Sequence, residues 1–235
     1  MTATIDREFA EKMLQTFDNP QEHGVHLLFN EWWRYAPQEV TQSYLKQFCA
    51  LEHAQGFLNK RFYADPLDLD ALGRFRDGTL GHSYYHFILD NHLEEKIAMN
   101  YRQLHEHMDN SGQLDSMPEE FKYTILRGFQ IHDFLHVLTG YDSSPFGEVA
   151  LQAFTLAQKR FPYMSMWMST LTTRMTYLEP ETIGPVMDAI TDGWQFGRKV
   201  GNIVFLEYET MLDRPLVDLR REYGIDPTGS VPLAA

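Results

Sequence analysis

Two histidines four residues apart, His132 and His136, and a glutamate beyond the next turn, Glu148, are the side chains whose types and spacing could do chemistry. On a helix, positions i and i+4 project from one face, one turn apart, so two imidazoles can close on a single ion. The segment Gly140-Tyr141-Asp142-Ser143-Ser144-Pro145 turns the chain back, and Glu148, in the first turn of the following helix, can then bring a carboxylate to the pair. Two histidines and one carboxylate leave positions open on a divalent ion, where a ligand can bind and be polarised. Asp133 is either a further ligand and base or an acceptor that orients an imidazole. The plainer reading of Glu148 is a residue placed early in a helix to suit its dipole; a capping box is excluded because Pro145 stands where the cap would be.

These residues need a rigid helix to hold them. Projected at about 100° per residue, the segment Pro118 to Thr139 puts Phe121, Ile125, Gly128, Phe129, His132 and His136 on one stripe, with Asp133 at its edge and apolar residues around most of the rest. Such a helix is central, and histidines on its apolar stripe are costly to bury without a partner. The same period predicts helices over Asp6 to Phe17, Gly24 to Tyr35, Val40 to Phe62, Thr79 to His92 and Glu94 to Met108 ahead of it. After it come Pro145 to Arg160, Tyr163 to Tyr177, Glu181 to Lys199, Ile203 to Leu212 and Pro215 to Tyr223. Strand-like alternation is absent. The expectation is an all-α protein, one domain over residues 1–235 with about ten helices, the metal site between two central ones, and a loose tail after about residue 225.

Composition narrows the function. The 33 acidic and 20 basic side chains give a net charge of −13 with no basic cluster, which argues against nucleic acid as a partner. The single cysteine, Cys49, fits a reducing compartment. The first residues read as neither a signal nor a transit peptide, and no apolar run is long enough to span a bilayer, so the expected location is cytoplasmic, with peripheral contact on the inner face of a bacterial membrane allowed.

The run from Arg127 through Gln130-Ile131-His132-Asp133-Phe134-Leu135-His136-Val137-Leu138-Thr139-Gly140 to Gly147-Glu148-Val149-Ala150-Leu151-Gln152-Ala153-Phe154 resembles the ubiquinone (coenzyme Q) biosynthesis protein four family in order and spacing. Gly78-Thr79-Leu80-Gly81-His82-Ser83-Tyr84 is similar to that family's Leu-Gly-x-x-Tyr helix start, and Trp194, Gly197 and the segment from Pro215-Leu216 to Arg220 are similar to its C-terminal part. The resemblance runs from about Val25 to Ile225.

It implies an all-helical protein acting on a polyprenylated aromatic ring, removing the C1 carboxylate of a prenylated 4-hydroxybenzoate and installing a hydroxyl there. It also implies zinc on His132, Asp133, His136 and Glu148. Two histidines and a carboxylate suit a non-haem iron equally, and replacing a carboxylate by a hydroxyl takes electrons from the ring, which zinc does not accept. A prenyl tail needs an apolar groove, for which Phe129, Met164, Trp167 and Met168 are candidates, with Arg127 and Arg174 for an anionic headgroup. The implied partners are the prenyl lipid, other quinone-biosynthesis enzymes and a second copy of the chain. Two other classes stay open: a lipid-binding scaffold in which the metal is structural, and a metal phosphohydrolase drawing on His82 or His86 and Asp188 or Asp192.

Overall fold

The computed structural model describes residues 4–20 and 22–227, so most of the tail expected to be loose lies outside the described residues. Thirteen α-helices and no strand occur among them: α1 (Arg7–Asp18), α2 (Val25–Tyr35), α3 (Gln38–Cys49), α4 (Glu52–Lys60), α5 (Leu69–Leu72), α6 (Leu80–Asp90), α7 (Glu94–Ile97), α8 (Tyr101–Ser111), α9 (Glu119–Thr139), α10 (Pro145–Lys159), α11 (Pro162–Leu178), α12 (Ile183–Lys199) and α13 (Leu216–Tyr223). The all-α expectation holds.

Helix α9 is the axis. Glu119 and Glu120 favour its start, and Gly140, at φ 84°, ends it with an N–H to the His136 carbonyl at 2.8 Å. Its first half, through Phe121, Tyr123, Ile125 and Leu126, packs into one apolar cluster with Phe29, Phe48, Leu58 and Met108. Its second half, through Ile131, Phe134, Leu135 and Leu138, enters another with Tyr84, Val149, Ala150 and Val186. One helix therefore serves both cores, which is why it lacks a polar face. The ring of Phe134 is stacked between Tyr84 (3.8 Å) and Tyr208 (5.2 Å), tying α6 to α9.

Helix α10 returns antiparallel beside α9 and is held from behind by α12. A β-carbon on Gly193 would lie 1.9 Å from the Ala150 carbonyl oxygen, and one on Gly197 would lie 2.6 Å from that of Phe154. Only glycine permits that approach. From the C-terminal side, Arg220 on α13 donates to the carbonyls of Val137 (2.9 Å) and Leu138 (3.0 Å), closing orphan acceptors in the last turn of α9. Lys159, at the end of α10, is 1% exposed; burial, reinforced by the nearby Arg127 charge, pushes its ammonium down to about 7.

Three expected helices change. Val40 to Phe62 breaks at Ala50 and Leu51: an unbroken helix would set Phe48 and Ala54 about 120° apart, whereas the break buries both. Glu94 to Met108 breaks because the Ile97 carbonyl accepts from Leu67 at 2.9 Å and the Asn100 side chain caps α8. Ile203 to Leu212 is a strap with a single 3-10 turn, Tyr208–Thr210; its apolar spacing reflects burial of Ile203, Val204 and Tyr208 beneath it.

Candidate metal centre and cleft

The α9–α10 hairpin brings His132, His136 and Glu148 together. Ser144 caps α10, its Oγ accepting from Gly147 N at 3.2 Å, so Glu148 leaves the first turn facing α9. Glu148 Oε2 lies 3.1 Å from His132 Nε2, Glu148 Oε1 3.1 Å from His136 Nε2, and the two Nε2 atoms 3.1 Å from each other. His136 Nδ1 lies 3.0 Å from the Tyr141 carbonyl oxygen, to which it donates as Nδ1–H, so in the neutral ring Nε2 carries the lone pair. With both rings neutral, three groups rich in lone pairs converge with one proton at most, on His132, among them. That donor set fits a cation. The spacing fits as well, because four ligands about 2.0–2.1 Å from an ion are about 3.3 Å apart at the edges of a tetrahedron.

Surroundings set the character of the site. The His136 side chain is 1% exposed, with the Phe87 ring stacked on it at 5.2 Å, while His132 and Glu148 open partly to solvent. Burial opposes the charge of Glu148, yet hydrogen bonds and charge from the two imidazoles, in their protonated form, hold its carboxyl well below the usual carboxylate range. A second group, His105, Asp109 and Glu119, also has ligand spacing, but the Lys122 ammonium already sits 2.8 Å from Asp109 and 2.7 Å from Glu119.

Several expected site residues lie elsewhere. Asp133 points away from the cluster, and its Oδ1 accepts from Lys96 Nζ at 2.6 Å; a helical neighbour of His132 is turned about 100° from it. Arg127 is fully buried and spent on a bidentate pair with Glu209 (2.6 and 2.7 Å), which disqualifies it as a headgroup anchor. Arg174 donates to the Phe17 and Asp18 carbonyls and closes the end of α1. Met164 is core, and Met168 is half-buried on α11. Among the described residues, His82, His86, Asp188 and Asp192 join no ligand group: His82 meets Asp77 at 3.1 Å, and Asp192 accepts from the Tyr141 hydroxyl at 2.6 Å.

Phe129 and Trp167 do reach the site. With His132 they line a cleft of about 370 Å³ whose other walls are Lys96, Met99, Tyr101, Leu104, Gln152 and Tyr163. A wider groove of about 770 Å³ between the ends of α10 and α12 contains no residue of the cluster. Lys96, Tyr101 and Gln152 escaped the sequence reading. Gln152 had a signal, standing four residues after Glu148 and so on the same face of α10; Lys96 had none, because its partner is 37 residues away.

The family model described as Coenzyme Q (ubiquinone) biosynthesis protein Coq4 matches residues 39–229. The chain belongs to this family. Among curated relatives are mitochondrial COQ4 homologs described as ubiquinone biosynthesis proteins. That of Xenopus laevis is 25% identical over 167 residues, 71% of this chain and 54% of the relative. That of Rattus norvegicus is 28% identical over 167 residues, 71% and 58%. That of Homo sapiens is 25% identical over 208 residues, 88% and 72%. The chain thus spans little more than half the length of the first two. A crystal structure from Nostoc punctiforme, of a protein ascribed to ubiquinone biosynthesis, superposes with a TM-score of 0.69 at 19% identity, covering 93% of this chain and 95% of that one, and shares the fold.

The span matched to the Coq4 family contains every residue of the cluster and the cleft, whereas α1 and α2 precede it. No helix among the described residues is long and apolar enough to cross a membrane.

Proposed function

We propose that the chain is a metal-dependent protein of ubiquinone biosynthesis that replaces the C1 carboxylate of a polyprenylated 4-hydroxybenzoate by a hydroxyl. The observation that carries this reading is the convergence of His132, His136 and Glu148, all at 3.1 Å, at one end of an apolar cleft. When bound, a divalent ion would supply Lewis-acid polarisation if it is zinc and redox chemistry as well if it is iron; the exchange breaks the bond from C1 to the carboxyl carbon, releases carbon dioxide and takes two electrons from the ring, for which dioxygen is the oxidant that the reaction consumes. The chain's own residues do the rest. His132, His136 and Glu148 hold the ion, the Tyr141 carbonyl keeps the His136 lone pair turned toward it, and Phe129, Tyr163 and Trp167 take the ring and exclude water. Delivery of so apolar a substrate calls for contact with a membrane surface or with another enzyme of the pathway.

The test has two arms. Protein purified without added metal or chelator is assayed for bound metals, and zinc- and iron-loaded samples are incubated aerobically with a short-chain prenylated 4-hydroxybenzoate and followed by mass spectrometry. The expected result is one ion per chain and a product that has lost CO2 and gained a hydroxyl. Tight binding of the prenylated ring without turnover by either loaded form overturns the enzymatic reading in favour of a lipid-presenting scaffold.

A further inference from the structure

Lys96 stands at a junction. Its Nζ is 2.6 Å from Asp133 Oδ1, and the lysine side chain is 31% exposed against 4% for the aspartate. It borders both the small buried cavity around Asp133 and the open cleft beside His132. Asp133 occupies one of the three ammonium donors and fixes its direction. The other walls are mostly apolar and aromatic, Met99, Leu104, Phe129, Tyr163 and Trp167 among them, so Lys96 is the one ammonium among the described residues that line it. Gln152, on α10, lines the same cleft, and its Oε1 is buried without a hydrogen-bond partner. A buried acceptor left unpaired is costly, and a donor arriving in the cleft relieves it.

We infer that Lys96 and Gln152 are the polar recognition pair of this cleft: the Lys96 ammonium, aimed by Asp133, takes the anionic group of an aromatic acid, and the Gln152 carbonyl takes the hydrogen of its hydroxyl. Asp133 is a positioning residue, acting through Lys96. The inference rests on the ring-binding reading above and names the side chains that would give it specificity.

The experiment compares dissociation constants of the full, metal-loaded chain for three probes carrying the same short prenyl group: a 4-hydroxybenzoate, the corresponding 4-hydroxybenzamide and the corresponding 4-methoxybenzoate. Loss of a charge-assisted hydrogen bond makes the amide about tenfold weaker or more, and loss of the donor makes the ether about fivefold weaker. Lys96→Met should bring acid and amide within about twofold of each other while leaving the hydroxyl preference intact; Lys96→Arg should keep both preferences. Gln152→Leu should do the reverse of Lys96→Met, and Asp133→Asn should reduce the acid preference in part. These are ratios, which a general loss of folding does not reproduce, and metal content is measured alongside. An acid preference that survives in Lys96→Met overturns the pair and leaves ring binding standing. Failure of the native chain to bind any of the three removes the ring-binding reading and this inference together.

Discussion

Replacing Lys159 by methionine should stabilise this protein, and by an amount that depends on pH in a specified way. Lys159 is 1% exposed, and its ammonium is pushed down to about 7 by burial and by the Arg127 charge, against an ordinary 10.5. The folded form therefore binds the proton less tightly than the unfolded chain, and stability rises with pH wherever the unfolded chain alone is protonated, from about 7 to about 10. At 1.36 kcal/mol per unit, the whole gap corresponds to roughly 5 kcal/mol of penalty below pH 7 and roughly 3 kcal/mol at pH 8. Methionine fills nearly the same volume without a charge. Urea unfolding of the native and Lys159→Met chains at half-unit steps from pH 6 to 10 isolates the effect, because the buried tyrosines and other titrating groups are common to both and cancel in the difference. The stability difference should be flat below pH 7 and then shrink by about 1.4 kcal/mol per unit. A difference that stays constant through pH 10 refutes the reasoning, since it would mean that Lys159 remains charged in the folded chain.

Other expectations can be checked on the same material. His136→Ala should lose the bound ion, read as metal per chain after dialysis, because the remaining histidine and glutamate hold a divalent ion poorly at neutral pH; a content near one would remove His136 from the ligand set. Gly193→Ala drives a β-carbon to within 1.9 Å of the Ala150 carbonyl and should destabilise by about 1–3 kcal/mol or more in urea titration. Arg127→Met strands the buried Glu209 carboxylate and should cost about 3–5 kcal/mol, while the double change Arg127→Met with Glu209→Gln should recover part of it in the same titration.

What the sequence disclosed follows the distance over which each feature is determined. The convergence of His132, His136 and Glu148 was legible because the three side chains lie within 16 residues, on one hairpin whose turn and cap are written in Gly140 and Ser144. The centrality of α9 was legible too, since apolar residues around its circumference leave no side for water. Asp133 and Arg127 were misplaced because their partners, Lys96 and Glu209, stand 37 and 82 residues away, and nothing local distinguishes a buried ion pair from a ligand or an anchor. The strap from Ile203 to Leu212 shows the limit of periodicity. Its apolar residues are spaced by what they cover, and that spacing imitates a helix.

The Arg220 clamp has a consequence for how the molecule is made. The last carbonyls of the site helix are closed by a guanidinium from α13, more than 80 residues later in the chain. During synthesis from the N-terminus, the hairpin bearing His132, His136 and Glu148 leaves the ribosome long before the residue that secures its end. The geometry of that cluster is thus finished late, by a segment more than 80 residues further along, and a message cut short before Arg220 would yield the three side chains without their anchorage.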